Sequence, residues 1–255
     1  VTELTIVVPF NNIDAMRDAL ERNKGEVAAV IVEPVMMNTT LIPPKDGYLE
    51  KLRELTEEYN VVLIFDEVKT GFKVAYGGAS EYYHIRPDLI TLGKCIGSGF
   101  SLAAFGGKKE IVEHIKPGDV AHGGTYSANP LAIRASITAL REVLTKENLN
   151  YATRLEDKLA EGIRKTMKDN GIPGYVNSLG PCGMVFFTQH EIYDYRTFVK
   201  YYNVDRLTKF WFGLVNNGIW IAPHADEHWT VSVQHSEEDI EKALAVTRKI
   251  ASDLK

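Results

Sequence analysis

The sequence Val61-Val62-Leu63-Ile64-Phe65-Asp66-Glu67 joins a run of β-branched and aromatic residues to an acidic pair. Such a run is typical of a strand buried on both faces, as in a parallel sheet. Val27–Val32 has the same character, and between the two runs the residues from Gly47 to Leu55 place apolar side chains at helical spacing. This order of strand, helix and strand predicts a βαβ unit with a right-handed crossover.

The rest of the chain predicts two domains of different texture. Short apolar runs predict further strands at Leu89–Leu92, Leu102–Phe105, Met184–Thr188 and Trp229–Val233. Helical patterns cover about residues 129–144, 151–168, 205–217 and 236–252. Because the element order becomes mixed after the turn signal Gly171–Gly174, we expect an α/β domain with a mostly parallel sheet over residues 1–148 and a smaller α+β domain over residues 149–255.

The composition is that of an ordinary globular protein, with 45% hydrophobic and 25% charged residues in 255. A net charge of −5 without a basic cluster argues against a nucleic-acid or acidic-membrane partner. No apolar run approaches the length of a spanning helix. The cysteines, Cys95 and Cys182, are too few for a disulfide framework or a cysteine-type zinc site. They fit a reducing compartment, so we expect a cytoplasmic protein without a metal centre.

Asp66 and Glu67 stand at the carboxyl end of a predicted strand, where open α/β sheets place their ligand sites. Asp66 could instead cap the turn that follows the strand, and this alternative stays open. A third interpretation is the acidic residue of a nucleotide hydrolase. That class requires a G-x-x-x-x-G-K-[ST] loop, which does not occur in this sequence, and we reject it.

Lys94 lies in Leu92-Gly93-Lys94-Cys95-Ile96-Gly97-Ser98-Gly99, a glycine-rich loop with apolar walls after a predicted strand. Most lysines are solvated surface residues, and Lys94 could be one of them. A lysine held among apolar residues can instead act as an amine nucleophile. Because Asp66 would lie at the same sheet edge, the two residues match the needs of pyridoxal phosphate: a Schiff-base lysine and an acidic partner for the pyridinium nitrogen.

The segment Gly123-Gly124-Thr125-Tyr126-Ser127-Ala128-Asn129-Pro130 precedes a predicted helix. Small residues and hydroxyls at a helix start favour a bound phosphate or carboxylate. Simple capping by Ser127 or Asn129, with Pro130 in the first turn, explains the same residues equally well. The two interpretations are compatible.

His224-Ala225-Asp226-Glu227-His228 fits the H-x-x-E-H pattern of some zinc proteases. That pattern must lie on a helix for both histidines to share a face. Here Pro223 precedes it and a predicted strand follows it, so we expect a loop and no metal site.

The order of these segments resembles that of the class III pyridoxal-phosphate aminotransferases, from about Ile6 to the end of the chain. The resemblance rests on Val32–Val35, Ile64–Phe72, Pro87–Leu89, Leu92–Lys94, Phe105–Gly107, Gly124–Pro130, Val176–Asn177, Phe186–Thr188 and His235–Ile240. Within the family, the branch of glutamate-1-semialdehyde aminomutase and its aminotransferase relatives is the most similar. The resemblance implies the fold type I architecture, a large cofactor domain with a mostly parallel sheet and a small terminal domain.

The resemblance also implies roles for single residues. Lys94 resembles the lysine that binds the cofactor aldehyde and later moves the proton, and Asp66 resembles the carboxylate that keeps the pyridine nitrogen protonated. Val68 would pack on one face of the ring. Thr125, with the Gly124 backbone, resembles the phosphate contact that comes from the neighbouring subunit, which implies a homodimer.

Asn38 stands where many members that use 2-oxoglutarate have a glutamate, which can pair with an arginine of the small domain. The corresponding small-domain position is Glu227, so the resemblance implies that this switch does not operate here. Asn38 agrees with the aminomutase branch and is placed among the cofactor-binding residues. Three places depart from the aminomutase pattern. Gly99–Ala104 stands where a glycine–proline–valine–glycine run is usual, Tyr126 stands where a leucine is usual, and Ala128 stands where a glycine is usual.

The family normally carries a further amino-terminal segment with a phosphate-holding loop and an aromatic residue that stacks on the ring. Neither feature is found here, and the sequence starts with Val1. We therefore expect the carboxyl-terminal portion of a longer protein rather than a degenerate copy, because Asp66, Lys94 and Thr125 are retained.

Three functions stay open at this point. The first is an aminotransferase that moves an amino group from an amino acid or amine to a keto acceptor through Lys94, with pyridoxal phosphate and its amine form as cofactor. The second is the intramolecular amino shift of glutamate-1-semialdehyde 2,1-aminomutase. The third is a non-catalytic cofactor-binding subunit. The amino donor is not predicted by the sequence.

Overall fold

A computed structural model describes residues 2–222 and 226–254. The chain divides into two compact units. The first contains the described residues up to Pro34 together with Pro44–Thr145, and the second contains Val35–Pro43 together with the described residues from Lys146 onward. Which unit holds a cofactor is not decided by this division, so the assignment of residues 1–148 to a cofactor domain and 149–255 to a terminal domain stays a prediction.

The first unit alternates short strands and helices. Its strands are β1 (Ala29–Val32), β2 (Val62–Asp66), β3 (Leu89–Leu92) and β4 (Ala104–Gly107). Its α-helices are α1 (Ile13–Arg22), α2 (Tyr48–Glu58), α3 (Gly78–Tyr82), α4 (Lys109–Val112) and α5 (Pro130–Thr138). Short 3-10 helices occur at Thr2–Leu4 and Lys94–Gly97, and a π-helix occurs at Ala139–Val143.

The four strands form one sheet in the order β1-β2-β3-β4. The first three strands run parallel, and β4 returns antiparallel to β3. The predicted βαβ unit is therefore present as β1, α2 and β2, and the prediction of a mostly parallel sheet is confirmed. In this register Asp66 lies opposite Thr91 of β3, and Thr91 lies opposite Phe105 of β4.

Among the described residues, helices cover one face of this sheet and leave the other open. Leu63 and Phe65 are fully buried against α1 and α2, in a core that includes Leu49 and Leu52. On the other face Ile31 is 63% exposed. The prediction that these strands are buried on both faces is therefore wrong for this chain: burial alternates along β2, because successive side chains point to opposite faces.

The predicted helix over residues 129–144 is present, but it changes geometry along its length. Asn129 caps α5 by accepting from the amides of Leu131 and Ala132, and Pro130 occupies the first turn, where its missing N–H costs nothing. The last turns, Ala139–Val143, widen into a π-helix. The prediction of capping by Asn129 is confirmed.

The second unit packs four α-helices on a small antiparallel sheet of order β5-β6-β7 in the described residues. The strands are β5 (Tyr175–Leu179), β6 (Cys182–Phe186) and β7 (Trp229–Thr230). The helices are α6 (Lys146–Asn170), α7 (Tyr195–Tyr201), α8 (Val204–Asn216) and α9 (Glu237–Ile250). The predicted strand at Trp229–Val233 is shorter than expected, and β5 was not predicted as a strand.

The predicted start of the last helix is confirmed in detail. Ser236 accepts from the amide of Asp239, and the Asp239 carboxylate accepts from the amide of Ser236, which forms a capping box. None of the described helices is long and apolar enough to cross a membrane.

Candidate active site at the end of the parallel strands

Asp66 ends β2 on the open face of the sheet and is half-buried. Its Oδ1 atom accepts two hydrogen bonds, from Val68 N at 3.0 Å and from Thr91 Oγ1 at 3.1 Å. The bond from Val68 confirms that Asp66 caps the turn after β2. Both bonds reach the same oxygen, and within residues 2–222 and 226–254 no side chain or amide donates to Oδ2. The Oδ2 atom of Asp66 can therefore accept a hydrogen bond from a donor other than these residues, such as a bound ligand.

The open face carries a row of side chains at this end of the sheet. Asp66, Thr91 and Phe105 lie opposite one another on β2, β3 and β4. The Phe105 ring makes an edge contact with His122, with ring centroids 5.3 Å apart. His122 directly precedes the Gly123–Thr125 turn. The row therefore connects the Asp66 carboxylate with the segment in which a phosphate contact was predicted.

Glu67, the second member of the acidic pair, has a different environment. It is 2% exposed and accepts hydrogen bonds from Thr70 Oγ1, Ala79 N and both the amide and hydroxyl of Ser80, at 2.6 to 3.1 Å. Gly78 has φ +71, and a Cβ there would lie 2.0 Å from Glu67 Oε2, so only glycine fits. Glu67 is a structural residue that holds the loop after β2.

Lys94 begins the 3-10 turn after β3 with φ +47, in the left-handed region that non-glycine residues seldom adopt. The turn is fixed from behind, because Ile96 and Gly97 are buried and a Cβ on Gly93 would lie 3.3 Å from Val68. The Lys94 side chain itself is exposed. Within the described residues the apolar residues of the loop therefore do not bury the Lys94 side chain, and its role as a nucleophile stays a prediction. Strained residues of this kind cluster at functional sites.

Cys95 secures the same turn. Its thiol contacts the carbonyl oxygen of Gly71 at 3.1 Å, which ties the loop after β3 to the loop after β2. Burial raises the pKa of the Cys95 thiol, and the charge of Lys73 only partly offsets this. The thiol therefore tethers the two loops, and its raised pKa disfavours the thiolate form.

Asp88 ties the opposite end of these strands together. Its carboxylate accepts from the amide of Leu63 at 2.7 Å and pairs with Arg53 at 3.0 Å and Lys108 at 2.6 Å. Burial by itself would raise the pKa of Asp88, but the hydrogen bonds from Lys108, Leu63 and Arg53 outweigh it and lower the pKa. Asp88 thus stays ionised and holds β2, β3 and the end of β4 in one register.

Gly124 and Thr125 lie in an exposed turn before α5. Ser127 N donates to Gly124 O at 3.0 Å, which closes the turn. Among the described contacts, no hydrogen bond joins Thr125 to Asp66 or Lys94. The amides at the start of α5 are already occupied by Asn129, so a phosphate would have to use the turn itself.

Two further predicted positions lie elsewhere. Asn38 belongs to the second unit, so its role at a cofactor stays a prediction. His224, the first residue of the H-x-x-E-H pattern, lies outside the described residues. Within the part of the chain that is described, no three His, Cys, Asp or Glu side chains are grouped as a metal site would need.

Thr91 is the site residue that the sequence analysis missed. A signal was present, because Thr91 is the one polar residue in the apolar strand Leu89-Ile90-Thr91-Leu92. Its place beside Asp66 depends on the register of β2 against β3, which the sequence pattern does not specify.

An aspartate at the end of one strand and a lysine after the next strand fit the two groups that pyridoxal phosphate requires of a protein. The family model of the class III aminotransferases matches residues 4–248, and the chain belongs to this family. Pyridoxal phosphate, or its amine form pyridoxamine phosphate, is the cofactor of the family.

The relatives are more specific. The chain is 43% identical over 242 residues to a glutamate-1-semialdehyde 2,1-aminomutase from Persephonella marina, covering 94% of this chain and 56% of the relative. The chain thus spans little more than half the length of such relatives.

Solved structures agree with this placement. A glutamate-1-semialdehyde aminomutase from Pseudomonas aeruginosa PAO1 in complex with PMP superposes with a TM-score of 0.88 at 29% identity, over 98% of this chain and 57% of that one. An omega-transaminase from Sphaerobacter thermophilus superposes with a TM-score of 0.90 at 31% identity and the same coverage.

The residues present fit the cofactor of the family. Asp66 Oδ2 has no donor among the described residues and can accept one from a protonated pyridine nitrogen. Lys94 offers a primary amine for the aldehyde, and its exposed side chain on a fixed backbone leaves it room to reach one. The site residues of the first unit therefore agree with a pyridoxal-phosphate site.

Proposed function

We propose that this chain is part of a pyridoxal-phosphate enzyme that shifts an amino group within one substrate, as a glutamate-1-semialdehyde 2,1-aminomutase does. The observation that carries the proposal is that Asp66 and Lys94 lie at the ends of neighbouring strands, in a chain 43% identical to such an aminomutase. This corrects the order of the sequence-based hypotheses, which placed the aminotransferase first.

Asp66 and Lys94 have separate tasks in this reaction. When bound, pyridoxal phosphate supplies an aldehyde that exchanges with amines and a ring that withdraws electrons from the substrate. Asp66 holds the proton at the pyridine nitrogen, which keeps that ring electron-poor. Lys94 Nζ binds the aldehyde at rest and, when released, holds and returns the proton at the substrate carbon that carries the nitrogen.

The same proposal covers the choice of substrate and the assembly of two subunits. Asn38 and Glu227 replace the pair that many 2-oxoglutarate users have, which favours a substrate that acts as its own amino donor and acceptor. Thr125 and Gly124 are exposed, which supports their use as the phosphate contact in the neighbouring active site of a homodimer.

An aminotransferase is the second candidate. It is supported by the omega-transaminase of Sphaerobacter thermophilus, with a TM-score of 0.90 and 31% identity, and by Tyr126 and Ala128, which depart from the aminomutase pattern. In this case a separate amino donor and a keto acceptor would share the site.

The deciding experiment uses the full-length protein, pyridoxamine phosphate and glutamate 1-semialdehyde. Movement of the amino group from C2 to C1 without any keto acceptor supports the aminomutase. Turnover only when an amine and a keto acid are both supplied supports the aminotransferase. No exchange between the aldehyde and amine forms of the cofactor with any amine offered supports the non-catalytic subunit.

Lys94→Ala tests the site itself. We expect turnover to be lost, and borohydride reduction of the unmodified protein to leave a cofactor adduct on Lys94 in a peptide map. Lys109→Ala, which alters an exposed lysine of α4, is the matched control and should retain activity. Full activity of Lys94→Ala would refute the assignment.

A further inference from the structure

The Asp66 carboxylate receives two donors on one oxygen. Val68 N lies 3.0 Å from Oδ1, and Thr91 Oγ1 lies 3.1 Å from the same atom. A carboxylate fixed at one oxygen by two donors cannot rotate freely, so the other oxygen has a defined position. From the geometry we infer that Thr91 is a positioning residue that orients Asp66 Oδ2 toward the pyridine nitrogen of the cofactor. This inference rests on the proposed function.

The two donors are not equivalent. Val68 N belongs to the turn that Asp66 itself caps, so this bond moves with Asp66 and restrains it only locally. Thr91 is on the neighbouring strand, 25 residues away in sequence, and it connects the carboxylate to the sheet. Of the two described donors, the hydroxyl of Thr91 is therefore the one that fixes the carboxylate relative to β3 and to the turn that Lys94 begins.

Thr91 is itself held rigidly. Its carbonyl oxygen accepts from the amide of Glu67 at 3.0 Å, which extends the ladder past Asp66. Its side chain is β-branched, which restricts its rotation about χ1, and it lies in the row between Asp66 and Phe105. The hydroxyl is thus a fixed donor rather than one that rearranges when Asp66 moves.

The position of Thr91 also relates the two reactive groups. Lys94 follows Thr91 by three residues, and the intervening Gly93 packs against Val68, the other donor to Asp66. Strand β3 therefore both carries Thr91, which holds Asp66, and leads into the turn that Lys94 begins. A substitution at Thr91 that leaves the fold intact should weaken the contact between Asp66 and the cofactor more than the other contacts of the cofactor.

The test compares two ligands in the full-length protein. Pyridoxal phosphate has the ring nitrogen, whereas its 1-deaza analogue has a carbon there and cannot donate to Asp66. The ratio of the two dissociation constants isolates the contact between Asp66 and the nitrogen, because all other contacts are shared. A variant that only loosens the fold would weaken both ligands alike and leave the ratio unchanged.

Thr91→Val removes the hydroxyl and keeps the branched shape. We expect the preference for pyridoxal phosphate over the 1-deaza analogue to fall about tenfold, the usual effect of losing one hydrogen bond to a charged group. Thr91→Ser keeps the donor and should retain most of the preference. Thr56→Val, which removes a buried hydroxyl that donates only to Arg53 O, is the matched control and should behave as the unmodified protein.

The outcomes separate the inference from the proposed function. An unchanged ratio in Thr91→Val, with the unmodified protein preferring pyridoxal phosphate, overturns the role of Thr91 and leaves the cofactor site intact. No preference in the unmodified protein overturns both. If Thr91→Val does not fold, Thr91→Ala removes the hydroxyl without adding a methyl group against the carboxylate, and the same ratio decides.

Discussion

The central strands of the two sheets differ in what covers them. In β2 burial alternates, and the half-buried Asp66 lies on the open face. In β6 all five residues are buried, and the nearby carboxyl of Glu156 is fully enclosed, with Trp229 Nε1 donating to it at 2.7 Å. A carboxylate can reach a ligand only where it is accessible, so the first sheet offers a reactive site on its open face, whereas the second sheet forms a structural core.

Truncating one residue on each face of the first sheet gives the largest expected difference. Leu63→Ala should destabilise the protein by about 2 to 5 kcal/mol, because Leu63 is fully buried and leaves a cavity. Ile31→Ala should cost only about 0.5 kcal/mol, because Ile31 is 63% exposed. Chemical denaturation of the full-length protein measures both. An equal cost for the two variants would show that other residues of the full-length protein cover the open face.

The next largest expected loss of stability is for a substitution of Glu67, the buried member of the acidic pair. Glu67→Gln should destabilise the protein by about 2 to 3 kcal/mol, since the new amide places a donor against the amides of Ala79 and Ser80. Glu50→Gln, an exposed change on α2, is the control and should be neutral. Thermal unfolding compares them. If the Glu67→Gln protein were as stable as its control, the buried Glu67 would have no structural role that distinguishes it from Asp66 on the open face.

The enclosed carboxyl of the second unit predicts a pH dependence. Burial raises the pKa of Glu156 to about 8, and the hydrogen bond from Trp229 offsets only part of this. Because this pKa lies above the ordinary glutamate value of 4.5, the folded state binds the proton more tightly, and stability falls as the pH rises from about 4.5 to about 8. Because each tenfold difference in proton affinity corresponds to about 1.4 kcal/mol, we expect a loss of about 3 to 5 kcal/mol between pH 5 and pH 9.

Glu156→Gln should remove this slope, as seen in unfolding curves between pH 5 and pH 9. Glu161→Gln, an exposed change on the same helix, should keep it. A slope that persists in Glu156→Gln would assign the pH dependence to another group.

The smallest expected effect is at the turn before α5. Ala128 has φ +53, where a side chain is strained, and Ala128→Gly should stabilise the protein by about 1 kcal/mol. Ala132→Gly, in the helix itself, is the matched control and should destabilise it. Melting temperatures measure both changes. A destabilising Ala128→Gly would mean that the turn adopts another conformation in the full-length protein.

Most elements were predicted from local sequence, whereas the roles of Asp66 and Lys94 stay predictions. The strand around Phe65, the helix after Gly47 and the cap at Asn129 follow from periodicity and from the hydrogen-bonding needs of chain ends, which depend on near neighbours. Asp66 and Lys94 were singled out because each lies at or just after the end of such a strand. The elements that were missed or misjudged, such as β5 and the length of β7, depend on pairing with distant segments.

The sequence by itself determined the family, the alternation of strands and helices, and the acidic and basic residues at the strand ends. The tertiary structure alone decided that one face of the sheet is open and that the Thr91 side chain donates to Asp66. The physical reason is that side chains alternate along a strand, so the face and the neighbour of each residue depend on the register between segments far apart in sequence.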